Sequence, residues 1–472
     1  MRMNMRLILA LAPMVVSVQA QAPVPPTKSQ AGGDPVLQSL LHEALDNNPD
    51  LAKDRSLVQA ERERIPQAKA LPDPSLSLGL QNDGFKGIQV GKMETSYYQV
   101  MLTQPLPWPG KRALRGQIAG VGADISRSEV ERTRLTLVAD VERAYYGLLL
   151  ARGQLHLLEQ QALFLKKAQA ITQARYEVGQ GAQADLLRAQ LELTRLDQTR
   201  FALQSQERVE LATLNRLRGR REDAPIATTA SLEDLPLPPA PPVADQIREA
   251  EAQSPELQAA REGVKQAELG LVLAKRDRYP DFAVSTALMP RGGLEPMWYA
   301  GVSISLPIWS KHKQQRAVAE QEWRRKSQGS EAESVRNLLV QRTRERAAEL
   351  DSVLGTLQIY REGLLVQSEA TFQATLAQYE TGKTPFLSVL EALDGWVADR
   401  SGQLQALAQA ESIRIAQAEY NLAGTPAITS PGLGSPSLAM GGAPSGGASM
   451  PSPSPSGAAS AQGDGGASSN PM

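Results

Sequence analysis

Hydrophobic and polar positions alternate with period two in four short stretches of this chain, and most of the remainder follows helical spacing. In Ser75–Gln81 the apolar residues are Leu76, Leu78 and Leu80. In the second stretch Tyr98, Val100 and Leu102 alternate with Gln99, Met101 and Thr103. In the third, Phe282, Val284 and Leu288 alternate with Ala283, Ser285 and Ala287. In the fourth, Ala300, Val302, Ile304 and Leu306 alternate with Gly301, Ser303 and Ser305. One face is apolar and the other small or polar, as a barrel wall between lipid and water requires. A soluble sheet packed on helices would share that alternation. The aromatic residues weigh for the membrane. Tyr97 and Tyr98 lie about 10 residues before Trp108, and Trp298 and Tyr299 about 10 before Trp309, the span of a tilted membrane strand. Rings at both ends match interfacial girdles.

The helical stretches come in a fixed order, twice. Pro35–Ala70 and Val243–Arg278 precede the strands and are stopped by Pro72 and Pro280. Lys111–Arg175 and Lys311–Gln378 follow the strands without an internal proline, and at about 65 residues each would span about 100 Å. A glycine turn leads to Gln183–Arg220 and to Pro385–Leu422. Such lengths predict coiled-coil or repeat packing. The two shorter helices of each half can stack into one broken column beside the long one.

The sequence itself is duplicated at a spacing of about 205 residues, the mark of a repeat architecture. Asn48-Pro49-Asp50-Leu51 matches Ser254-Pro255-Glu256-Leu257, and Leu71-Pro72-Asp73 matches Tyr279-Pro280-Asp281. Gln104-Pro105-Leu106-Pro107-Trp108 matches Ser305-Leu306-Pro307-Ile308-Trp309. Ala174–Gly179 matches Ala377–Gly382. The expected organisation is a first repeat over 35–234, a proline-rich linker over 235–243, a second repeat over 244–424 and a disordered Gly/Ser/Pro/Ala tail over 425–472.

The N-terminus reads as a signal peptide over 1–20, with Arg2 and Arg6 before an apolar core from Leu7 to Val18 and a small-x-small site at Val18-Gln19-Ala20. Residues 21–34 form a linker. The apolar core is shorter than the ~20 residues of a membrane helix. The 50 basic and 51 acidic residues leave no net field, which argues against nucleic acid. Cysteine is absent, so disulfides, thiolate metal sites and cysteine nucleophiles are excluded. His42, His156 and His312 are scattered and form no HExxH pair. No constellation supplies nucleophile, base and oxyanion donor together, so an enzyme, a metal centre and a cofactor site are not expected. Gly110-Lys111 lacks the first glycine and the following Ser/Thr of a P-loop.

The duplicated segments Tyr176-x-x-Gly179-x-x-x-x-x-Asp185-Leu186-Leu187-x-Ala189 and Tyr379-x-x-Gly382-x-x-x-x-x-Ser388-Val389-Leu390-x-Ala392 resemble the helix-to-helix turns of the TolC-like outer-membrane factor family. The resemblance runs from about Leu40 to Gly424. Gln104–Lys111 is similar to the heavy-metal-cation branch, the CzcC/CusC type. The resemblance implies a mainly α fold with a small β part. Four membrane strands per chain would join in a homotrimer as a 12-stranded barrel above a coiled-coil-like α-helical barrel. It implies an outer-membrane location with the tunnel in the periplasm, and three kinds of partner: outer-membrane lipid, a periplasmic adaptor and an inner-membrane pump of the RND class. Tyr176, Gly179, Tyr379, Gly382 and Thr384 would face the adaptor; Glu391, Ser388 and Asp185 would form the pore constriction. Thr384 stands where some relatives carry an arginine that locks the pore. A drug-efflux channel, a type I secretion channel and, in another class, a soluble periplasmic coiled-coil adaptor are the competing readings. From the residues alone, Gly179 and Gly382 suit a reversal that needs positive φ, and Tyr97, Tyr98, Trp108, Trp298, Tyr299 and Trp309 suit a girdle.

The tail carries almost no bulky apolar residue beyond Leu433 and Leu438 and cannot bury a core. Deleting Gly434–Met472 is expected to leave the yield and thermal midpoint of the purified protein unchanged; a clear fall in either would show that the tail packs on the rest.

Overall fold

The computed structural model describes residues 34–236 and 239–428, all within one compact unit. The signal peptide, most of the linker after it and nearly all of the tail lie outside the described residues. The elements are α1 (Pro35–Asn47), α2 (Pro49–Lys69), β1 (Ser75–Gln81), β2 (Tyr97–Leu106), α3 (Lys111–Glu177) and α4 (Gln183–Leu217). The second repeat gives α5 (Val243–Gln253), α6 (Pro255–Arg276), β3 (Asp281–Arg291), β4 (Leu294–Ser305), α7 (Gln314–Ile359), α8 (Leu365–Glu380) and α9 (Phe386–Glu419).

The opening helix of each repeat, expected to be continuous, is broken once. A residue before proline is pushed out of the α region, and Asn48 is extended at φ −69°, ψ 124°. Its side chain then caps α2, accepting from the N–H groups of Asp50 (2.9 Å) and Leu51 (3.2 Å). Ser254 does the same before Pro255, accepting from the N–H of Leu257. The long helices also differ. α3 runs unbroken for 67 residues, about 100 Å. Its counterpart starts at Gln314 and contains a π-helical turn, Tyr360–Leu364, between α7 and α8. The second repeat is longer between Trp309 and Tyr379 than the first between Trp108 and Tyr176, and the π turn takes up one such residue.

α3 organises the packing. Along one side it meets α2 near the strands and α4 toward its far end; along the other it meets α6 and then α9. α7 packs beyond α6 and α8 beyond α9. The broken columns expected from helix lengths are therefore formed, and they stand on both sides of α3. Two apolar clusters follow it. One centres on Tyr145, Leu148, Leu150 and Leu214 with Ile413. The other, nearer the turns, joins Leu158 and Leu165 to Leu203, Phe372, Phe386 and Val397.

A buried charge cluster ties the repeats together. The Glu419 side chain, only 2% exposed, bonds Arg132 at 2.8 Å and also Arg143, both from α3. The Arg346 guanidinium from α7 is buried beside it and donates to the Asn421 side chain and to the carbonyl of Ala423 (2.7 Å). Burial raises the carboxyls of Asp140 and Glu256, opposed by Arg143 and Arg132 respectively. Residues 425–428 stay on this core: Ser412 donates to the carbonyl of Pro426, and Ile428 packs on the apolar cluster.

Removing one member of a buried ionic cluster leaves the others unpaired, at a cost of about 3–5 kcal/mol. Glu419→Ala is expected to cost on the order of 3 kcal/mol and to lower the thermal midpoint of detergent-solubilised protein. An unchanged midpoint would show that water pairs the two arginines.

Candidate functional site

The four strands form one antiparallel meander in the order β1-β2-β3-β4. Leu76, Leu78 and Leu80 pair with Leu102, Val100 and Tyr98, and Val284 and Leu288 pair with Val302 and Trp298. All of these side chains are exposed. The other face is small and polar, with Thr103 Oγ1 2.9 Å from Ser285 Oγ across the join between repeats. The apolar face is thus uncovered, unlike that of a sheet packed on helices, and a continuous apolar patch of this kind marks a contact surface.

The girdle residues divide. Trp298 is 78% exposed and shares the apolar face with Tyr98. Tyr97 and Tyr299 point to the opposite face, and the Tyr97 hydroxyl reaches Gln81 Oε1 at 3.3 Å. β4 begins at Leu294, so Trp298 and Tyr299 lie inside the strand instead of opening it. Trp309 is exposed beyond the end of β4. Trp108 is not free: its ring stacks on Tyr279 at 5.1 Å and on Phe282 at 5.5 Å. Beside it Lys111, 2% exposed, donates to the carbonyl of Tyr279 and to Asp281 Oδ1, both at 2.9 Å. Asp281 also accepts from the N–H of Trp108 at 2.7 Å. The Gln104–Lys111 run is therefore a clamp between the repeats where strands become helices.

At the far end both turns close in one way. Gly179 has φ +74° and Gly382 φ +77°. The N–H of Gly179 bonds the carbonyl of Tyr176 (2.9 Å) and that of Gln180 the carbonyl of Arg175 (2.7 Å). The N–H groups of Gly382 and Lys383 repeat this onto Tyr379 and Gln378, both at 2.9 Å. These are paired Schellman caps, which need a left-handed residue and so favour glycine.

The side chains are unequal. Tyr379 is buried and its hydroxyl lies 2.7 Å from Thr172 Oγ1 on α3. Arg175 sits 5.1 Å over its ring and donates to its carbonyl at 3.0 Å, and Phe386 packs at 5.7 Å. Tyr176, expected to anchor the first turn in the same way, is instead 44% exposed. Among the described residues of the chain nothing plays for Tyr176 the part that α3 plays for Tyr379. Asp185 lies in the first turn of α4, near Arg188 (3.8 Å). Ser388 and Glu391 lie near the start of α9, Ser388 half-buried and Glu391 exposed. The Thr384 hydroxyl oxygen is buried and makes no side-chain hydrogen bond.

Residues 40–220 and 246–422 match the family model described as outer membrane efflux protein. The chain belongs to this family. Members are transport conduits, not enzymes. The cobalt-zinc-cadmium resistance protein CzcC of Cupriavidus metallidurans is 23% identical over 382 residues, covering 78% of this chain and 85% of that one. The structure is similar to the outer-membrane channel OprN, with TM-score 0.70, 19% identity and coverage of 84% and 91%. It is similar also to CusC, with TM-score 0.68, 18% identity and coverage of 86% and 99%.

In this outer membrane efflux protein no described helix is long and apolar enough to cross a membrane. Among the described residues no group of three or more His, Asp or Glu could hold a metal ion. The sequence reading missed Thr172 and Arg175, whose signal was available: Arg175 stands in the duplicated tip where the second repeat has Gln378. Asp281 stood in the sequence only as a repeat marker, and Lys111 only as a helix start and the end of the run similar to the heavy-metal-cation branch.

A β-branched residue at a left-handed cap is strained whatever space surrounds it. Gly179→Val and Gly382→Val are each expected to cost about 1–3 kcal/mol locally. Export should fall at least tenfold while the protein still reaches the membrane fraction. Export at the parental rate in both would remove the turns from the working site.

Proposed function

We propose that this chain is the outer-membrane channel subunit of a tripartite efflux system, assembled as a homotrimer and serving as a passive conduit from periplasm to exterior. The observation that carries this reading is the sheet, with its apolar face exposed, both edge strands free and one end running into helical columns. A bare strand edge leaves backbone groups unpaired in lipid, and four strands are too few to close a membrane barrel. Three copies would supply a 12-stranded wall, with the α2/α4, α3, α6/α9 and α7/α8 columns as the tunnel in the periplasm. The tips around Gly179 and Gly382 would meet a periplasmic adaptor, which links the channel to an inner-membrane pump of the RND class.

Heavy-metal cations are the proposed cargo. The support is the likeness to CzcC, whose name records cobalt, zinc and cadmium resistance, over most of both chains. Loss of the gene should raise sensitivity to these cations and leave drug sensitivity unchanged; the opposite pattern would make this a drug channel. Native mass measurement in detergent tests the assembly, and a detergent-free monomer would overturn it.

We propose that Glu391, exposed near the start of α9, lines the pore constriction of this trimer. Three carboxylates around one axis attract cations and repel each other. Glu391→Gln is therefore expected to reduce cation selectivity and weaken divalent block in planar bilayers. Identical conductance in both respects would make Glu391 an ordinary solvated residue.

A further inference from the structure

Methionine has a narrow distribution in this chain. Of the 11 methionines, those among the described residues are Met93, Met101, Met289 and Met297, and none of these lies in a helix. Each belongs to the sheet or to the loop joining β1 to β2. A thioether usually fills irregular gaps in an apolar core, yet the apolar clusters along α3 are built without one.

Met101, Met289 and Met297 share the small, polar face of the sheet. Met101 stands opposite Ala287, and Ala287 stands opposite Tyr299. Two residues along β3, Met289 stands opposite Met297. Alternation puts these side chains on one face, with Gln99, Thr103 and Ser285. Directly opposed residues lie about 4.5–5.5 Å apart and diagonal ones about 7–8 Å, within reach of long side chains.

The surroundings bring the sulfurs together. Among the described strand residues Ala287 alone is buried, at 5% exposure, and its neighbours Met101 and Met289 are placed to cover it. Tyr299 leans the other way, onto Gly301, where a Cβ would find no room. The Gln99 amide donates to Met101 Sδ at 3.9 Å. Gln99 and Met289 each stand one position beyond the pair Val100↔Leu288, so that bond turns the Met101 sulfur toward the Met289–Met297 pair.

We propose that Met101, Met289 and Met297 form a binding site for a soft monovalent cation of the Cu(I) or Ag(I) class. Neutral thioethers suit such ions. Zinc is held instead by thiolate, imidazole and carboxylate, and among the described residues no group of three or more His, Asp or Glu could hold it. The site belongs to one chain. Its place inside the conduit, where each copy would add one set to the wall, rests on the trimer proposed above. Uncharged ligands fit a cation that must leave as readily as it enters. The site adds soft monovalent cations to the proposed heavy-metal cargo.

The probe is silver nitrate, titrated in chloride-free buffer into the full chain in detergent. Calorimetry should show one Ag(I) per chain more in the parent than in the triple variant Met101→Leu, Met289→Leu, Met297→Leu. Each single leucine variant should weaken that site at least tenfold, while leucine at Met440, Met450 and Met472 together should leave it unchanged. Leucine nearly conserves the volume of methionine. X-ray absorption on the silver-loaded parent gives a readout that needs no variant. Sulfur neighbours around silver support the site; nitrogen and oxygen alone overturn it. Equal binding by the parent and the triple variant overturns it, as does displacement of Ag(I) by equimolar Zn(II) or Co(II). In planar bilayers under a potassium nitrate gradient, micromolar Ag(I) should shift the parent's reversal potential toward lower cation selectivity and leave the triple variant's unchanged. A conducting trimer that binds Ag(I) without this shift overturns the placement of the site in the conduit. A monomer that binds Ag(I) at these methionines and does not conduct overturns the proposed function and leaves the site standing.

Discussion

Backbone hydrogen bonding at a sheet edge is the constraint from which the rest of this molecule follows. A strand in water can leave one edge bare because solvent completes it; a strand in hydrocarbon cannot, and each unpaired group there costs several kcal/mol. This chain builds four strands with an apolar face exposed and two edges open. Read as a membrane wall, such a sheet must find edges from other copies. The long helices then inherit its geometry, because each strand pair leads directly into one of them. The clamp of Trp108 and Lys111 on Tyr279 and Asp281 sits at that transition, so the join between strands and helices is held by ring stacking and a buried lysine instead of a loose loop.

Most of the fold was legible because its signals are periodic or duplicated. Alternation marked all four strands, proline marked the helix ends, and paired motifs marked the repeats. What escaped depends on single contacts. Asn48-Pro49 was quoted as a repeat marker, yet the helix break it causes required weighing the proline's effect on the preceding residue. The π turn at Tyr360–Leu364 leaves no local signature, since it arises from a difference in length between two repeats. The buried cluster around Glu419 joins residues from α3, α6, α7 and α9, and no spacing along one helix could announce it.

The candidate site was legible in its backbone and less so in its side chains. Gly179 and Gly382 could be placed because only a left-handed cap needs glycine there, and the two caps have the same hydrogen bonds. The tyrosines stand at the same offset from their glycines, so only the neighbours that differ between the tips, Arg175 against Gln378 and Gln183 against Phe386, could tell them apart. Their environments differ because of what lies beside them: α3 brings Thr172 and Arg175 to Tyr379, while the exposed Tyr176 lies at the margin of the chain.

That inequality bears on how the tips hold together. An arginine from the turn itself is absent, since Thr384 stands in that place, but an arginine is present from the neighbouring helix. Arg175 reaches the Tyr379 carbonyl at 3.0 Å and covers its ring at 5.1 Å, and the Tyr379 hydroxyl meets Thr172 at 2.7 Å. Separating α8 from α3 would give up a charge-assisted hydrogen bond, a cation–π contact and a buried hydroxyl pair at once. The first is worth about 1.5–3 kcal/mol and the second about 0.5–2 kcal/mol. At the other margin of the chain the counterpart of Arg175 is Gln378, and the counterpart of Phe386 is Gln183. Neither carries a charge or a ring. A contact made there by repeating the in-chain geometry would keep the hydroxyl pair, through Tyr176 and Thr375, and lose the other two terms. The two kinds of seam in a ring built from this chain would thus be alike in backbone and unequal in strength, with the weaker one lying between copies.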